Sequence, residues 1–179
     1  MQNPFQRELE EIFRLSSSAD ELFDAFRTAL ESRIKDQELY KTLLRNKALS
    51  TDEIAMFADK ICREFNELSY SIYFCVGQIF SSISTYAKHH DKALKYFKKA
   101  ALSEPRTHEP YLAIAEMYSP ELNKPPLEDI VQTIQDGIKT VDSKSTLCFT
   151  LVDLYQNAGN EEMVRSYRIL GELYKREGH

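Results

Sequence analysis

Between Asp91 and Tyr118 the chain reads DKALKYFKKAALSEPRTHEPYLAIAEMY. Ala93, Phe97 and Ala100 recur at three- and four-residue intervals, so they share one face of a helix. Pro105 cannot continue that helix, because its ring removes an N–H and clashes with the turn before it. A second helix then opens with Tyr111, Ile114, Ala115 and Tyr118 on one side. Small residues let two helix backbones approach closely, while aromatic rings fill the adjoining holes. The stretch predicts two helices packed across a sharp reversal, and a fold assembled from such hairpins.

The rest of the chain carries the same punctuation, enough for about ten helices. Asn3-Pro4 opens the first, with proline at the first helical position, and it runs to about Leu15. Ser18 caps a second, with Leu22, Phe23, Phe26, Ala29 and Leu30 on one face. Asp36 starts a third with Leu39, Tyr40, Leu43 and Leu44. Ser50-Thr51-Asp52-Glu53 reads as a capping box before Ile54, Phe57, Ala58, Ile61 and Phe65. With 5 glycines and 6 prolines in 179 residues, too few tight turns are available for a β-rich fold.

Apolar residues at 42% and charged residues at 28% fit a folded chain with one sizeable core. The net charge is −5 but unevenly spread, with Lys92, Lys95, Lys98 and Lys99 making the middle basic between acidic flanks. Net acidity disfavours nucleic acid as a partner, since neutralising phosphates needs a cationic surface. Cys62, Cys75 and Cys148 are odd in number and far apart, which supports neither a disulfide framework nor a zinc site. The polar start and the lack of any apolar run near the roughly 20 residues of a membrane span lead us to expect a cytoplasmic protein with no membrane span.

The hairpin stretch resembles the tetratricopeptide repeat (TPR), an antiparallel helix pair of about 34 residues that stacks into a solenoid. Three units match: 69–106, 107–143 and 144–177. The first has Tyr73, Val76, Gly77 and Phe80 in its first helix, then Ala93, Phe97, Ala100 and Pro105. Four residues in excess of the repeat imply a first helix extended through Ser84 to about Lys88. The second unit has Tyr111, Ile114, Ala115 and Tyr118, then Ile130, Ile134 and Gly137, with Asp142 where a closing proline is usual. The third has Leu151, Val152 and Tyr155, a stop at Gly159, then Val164; Arg168 replaces the usual aromatic, with Tyr167 and Leu170 beside it to supply bulk. Residues 1–68 lack the pattern and read as a helical segment of about four helices, either a cap or degenerate repeats. The fold class expected is therefore all-α, a right-handed TPR-like helical-hairpin solenoid with an N-terminal helical segment.

In TPR stacks the first helix of each unit lines a concave surface. Carried over position by position, that surface comprises Phe74, Gln78 and Ser81, then Glu109, Leu112, Glu116 and Ser119, then Phe149, Asp153 and Gln156. Phe74, Leu112 and Phe149 would form an apolar strip edged by carboxylates, suited to a peptide with apolar anchors and basic character. The alternative is that residues 1–68 fold back and fill the groove. Acidic C-terminal tails of heat-shock chaperones are disfavoured, because the basic clamp residues of that TPR class are absent and Glu116 would repel a carboxylate.

A second candidate is Lys88, Lys92, Lys95 and Lys99, at helical spacing, as a docking patch for an anionic partner. The same pattern equally describes a solvated helix face whose lysines favour the helix C-terminus. Neither His89-His90 nor the other histidines have companions that complete a metal site, so no metal or cofactor is expected. No nucleophile elbow, phosphate loop or HExxH occurs, and Glu128-Asp129 and Glu161-Glu162 sit where the helix dipole favours acids. The resemblance implies a non-catalytic protein-binding module, an adaptor, scaffold or chaperone. Two alternatives stand beside it: a structural subunit or homodimer that buries its apolar faces, and a small TPR chaperone of a secretion system, which it resembles in architecture.

Overall fold

The computed structural model describes residues 4–83, 87–121 and 125–177, and at 87–89 the backbone alone. Among them are ten α-helices and no strand. These are α1 (Pro4–Leu15), α2 (Ala19–Glu31), α3 (Gln37–Leu44), α4 (Thr51–Glu64), α5 (Ser69–Ser82), α6 (Ala87–Ser103), α7 (Glu109–Glu116), α8 (Leu127–Ile138), α9 (Lys144–Asn157) and α10 (Glu161–Glu177). One 3-10 turn, Asn66–Leu68, joins α4 to α5.

Local chemistry sets most of the boundaries. The Ser18 hydroxyl accepts from the Glu21 N–H, and the Asp36 carboxylate accepts from Glu38 and Leu39. The capping box at α4 forms in both directions, Ser50 with the Glu53 N–H and the Glu53 carboxylate with the Ser50 N–H. At the end of α9 the Asn160 N–H donates to the Tyr155 carbonyl and the Gly159 N–H to that of Gln156. With Gly159 at φ 71°, this is a Schellman closure, and glycine takes the left-handed position without steric cost. The same closure ends α2, where Ile34 donates to Ala29 and Arg33 to Leu30, but here Arg33 holds φ 53°.

The expected extension of the helix after Ser69 is corrected. α5 stops at Ser82 and Lys88 belongs to α6; Ser84 lies outside the described residues. In the last turn of α5 the Ser81 and Ser82 hydroxyls donate to the carbonyls of Gln78 and Ile79, a local alternative to continued helix. α6 instead begins at Ala87, so Lys88 lies in its first turn.

Helices adjacent in sequence pack as neighbours, α5 on α6 and α9 on α10 over the longest stretches. Alternate helices also meet. On one side α1 touches α3, α3 touches α5 and α7 touches α9. On the other, Phe26 and Phe57 rings join α2 to α4 at 4.5 Å, Lys99 and Asp59 join α6 to α4, and Gln135 donates to the Tyr167 hydroxyl between α8 and α10. The result is two layers, odd-numbered helices in one and even-numbered in the other. Residues 4–68 obey the same rule as the rest, and the buried side chains form one continuous cluster from Leu9 to Leu154.

Three helical glycines seat an aromatic ring from the facing helix. A Cβ on Gly77 would lie 2.6 Å from the Phe97 ring, one on Gly137 2.6 Å from Tyr111, and one on Gly171 3.1 Å from Phe149. Ala93 and Ala100 are fully buried in this seam. Ala115, expected beside them, is only half-buried. Where a closing proline was expected, the Asp142 N–H instead donates to the Arg106 carbonyl and ties the loop after α8 to the loop after α6.

Candidate binding groove

Two adjoining clefts open on the odd-numbered layer. The larger, about 490 Å³, runs between α5 and α7 and is lined by Phe74, Gln78, Ser81, Glu109, Leu112 and Glu116, with Phe97, Ala113 and Met117. The smaller, about 290 Å³, continues between α7 and α9 along Leu112, Ala115, Glu116, Thr150, Asp153, Leu154 and Asn157. Leu112 and Glu116 border both, so the two form one trough. No residue of 4–68 lines either cleft.

Helical phase explains the convergence. Phe74, Gln78 and Ser81 are four and three residues apart on α5, and Glu109, Leu112 and Glu116 three and four apart on α7, so each set projects along one edge. Phe74 stacks on Tyr70 at 5.9 Å and leans on Phe97 at 5.6 Å, which anchors the apolar floor. Glu109, Glu116 and Asp153 are solvent-exposed along the rim, and no lysine or arginine lines the trough. The chemistry on offer is an apolar floor with acidic edges.

Three of the expected residues line neither cleft. Ser119 lies past the end of α7 and donates to the Glu121 carboxylate at 3.0 Å. Gln156 is exposed at the last turn of α9. The Phe149 ring turns toward α10, against Gly171, so the apolar strip stops at Leu112. Phe97 and Ala115, expected in the helix seam, also line the trough, and Ala113, Met117, Thr150, Leu154 and Asn157 complete it without having been singled out in the sequence. Ala113 lies four residues after Glu109, and Thr150 and Asn157 lie three before and four after Asp153, so helix phase could have drawn these three in.

The basic helix is used internally. Lys92 Nζ lies 2.8 Å from the Asp52 carboxylate and also donates to Thr51 at 3.2 Å. Lys99 Nζ lies 2.6 Å from Asp59 and 4.8 Å from the ring centres of Tyr73 and Tyr96. Asp52 and Asp59 are two turns apart on α4, as Lys92 and Lys99 are on α6, so the two pairs align α4 parallel to α6. Lys95 is exposed, and the Lys88 side chain lies outside the described residues. Beside this seam, burial and then the Asp59 charge push the Tyr96 phenol well above its usual range, and burial, then the Cys62 thiol, does so for Tyr73.

Among the described residues, no group of three or more His, Cys, Asp or Glu side chains could hold a metal ion, and no helix is long and apolar enough to cross a membrane. Cys62, Cys75 and Cys148 are buried free thiols. Comparison of this chain with protein-family models, with curated proteins and with solved structures finds no match.

Proposed function

We propose that the chain is a TPR-like right-handed helical solenoid that acts without catalysis, as an adaptor or scaffold holding a polypeptide segment in the trough along α5, α7 and α9. The observation that carries this reading is the convergence of Phe74, Gln78 and Ser81 with Glu109, Leu112 and Glu116 on one open cleft. These are the side chains that the TPR register assigns to a ligand-facing surface, and the trough is free of the first four helices. Its ligand is an extended or helical peptide with an apolar anchor for the Phe74–Leu112 floor and lysine or arginine for the rim. Because neighbouring helices hold the rim rigidly, little ordering cost falls on the receptor.

The test is fluorescence anisotropy with a labelled peptide carrying two leucines flanked by lysines, against the same peptide with glutamates. The basic peptide should bind and the acidic one should not. Glu116→Lys and Asp153→Lys, both at exposed positions, should each weaken binding about fivefold, since an exposed charge pair contributes about 1 kcal/mol at most. Equal affinity for the two peptides, or indifference to both substitutions, would overturn the assignment of the trough.

A further inference from the structure

α10 presents two faces. Its inner face buries Val164 and Gly171 and stacks Tyr167 on Tyr155 at 5.8 Å, which seats it on α9. The opposite face is formed by Glu162, Arg165, Ile169, Glu172, Leu173 and Arg176, all exposed. Ile169 is 65% exposed and Leu173 47%, an apolar pair one turn apart at the middle of the helix. None of these six lines the trough.

The charges around that pair are ordered. Glu161 and Glu162 occupy the first turn, Lys175 and Arg176 the last. Such a face opposes itself badly in parallel, where acid meets acid and base meets base. Turned antiparallel about Ile169, it complements itself. Glu162 lies seven residues before Ile169 and Arg176 seven after, so each Glu162 meets the other copy's Arg176. Arg165 lies four before, and Leu173 and Glu172 lie four and three after, so Arg165 spans the apolar side chain to reach the carboxylate. A uniformly anionic or cationic partner would satisfy only half of these charges, whereas a second copy satisfies them all.

We infer that the outer face of α10 is a two-fold, antiparallel homodimer interface centred on Ile169, distinct from the trough and leaving it open. A helix of 17 residues spans about 25 Å. One such helix pair falls below the ~1,200 Å² of stable standard-size interfaces, so the dimer is weak, with Kd on the order of 10–100 µM.

Sedimentation velocity on the whole chain from micromolar to millimolar concentration tests this, with circular dichroism to confirm that each variant keeps its helices. The dimer fraction should rise with concentration, and Ile169→Asp should raise Kd more than tenfold. Arg165→Glu and Glu172→Arg should each weaken self-association severalfold. Mixed one to one, those two variants should pair with each other, because each supplies the charge the other lacks. A monomer throughout the range, a dimer untouched by Ile169→Asp, or no recovery in the mixture would overturn the interface. None of these outcomes depends on peptide binding in the trough.

Discussion

Replacing Gly77 with alanine tests the seam on which the hairpin of α5 and α6 depends. The added methyl would stand 2.6 Å from Cδ1 and Cε1 of Phe97 and 3.0 Å from Cγ. Carbon atoms settle at about 3.5–4.0 Å, so the ring or the helix must retreat by about 1 Å. Phe97 is only 1% exposed and its ring is backed by Phe74 at 5.6 Å, which limits its retreat. Overpacking of such a site costs about 2–3 kcal/mol, at the upper end of the usual range because the obstacle is a rigid ring. Alanine recovers about 1 kcal/mol of helix propensity over glycine. The net loss is then about 1–2 kcal/mol, or roughly 2–8 °C in Tm for a chain of this size. Thermal and urea unfolding followed by circular dichroism measure it. In an F97L background the same glycine substitution should cost less, since the ring is gone. A Gly77→Ala variant as stable as the parent would refute the close approach of these helices.

Two further predictions concern the seam between α4 and α6. Asp59→Asn leaves Lys99, whose side chain is 29% exposed, between two tyrosine rings without a counter-charge; it should cost about 1 kcal/mol in urea unfolding after allowance for solvent screening. Asp52→Asn, whose side chain is 90% exposed, should leave the urea midpoint nearly unchanged. Burial pushes the Cys62 thiol from 9.0 up to about 11. Between those values the unfolded chain has lost a proton that the folded chain keeps, so raising the pH favours unfolding. Stability present below pH 9 should therefore decline from pH 9 to 11, and a Cys62→Ala variant should show a shallower decline; an equal slope would exclude this thiol as the source.

Residues near one another in sequence were the legible part. Ser18, Asp36 and the Ser50–Glu53 box act on N–H groups two or three residues away, and Gly159 acts on the turn it closes, so their effect needs nothing distant. Gly77 and Gly137 were readable as small positions for a related reason, since helical spacing says which residues share a face. The trough was legible through the resemblance, whose register implied one surface for Phe74, Gln78, Ser81, Glu109, Leu112 and Glu116; helix phase by itself says only that those within one helix share a face.

What the chain alone determined, then, is where helices begin and end and which stripe of each is apolar, because backbone capping and the 3.6-residue period are local. Tertiary packing decided which surface each stripe meets. Lys92 and Lys99 could have faced water or an anion, and only the parallel approach of α4 gave them Asp52 and Asp59. Phe149 shares the phase of a groove residue, yet the gap over Gly171 drew its ring toward α10. The first four helices lack the small-residue spacing of the later ones but still join the same two layers, since Phe26, Phe57 and Ala58 find cover only against neighbouring helices. Each of these choices turns on groups 20 to 40 residues apart, and local spacing carries no information about which of several equivalent partners will be nearest.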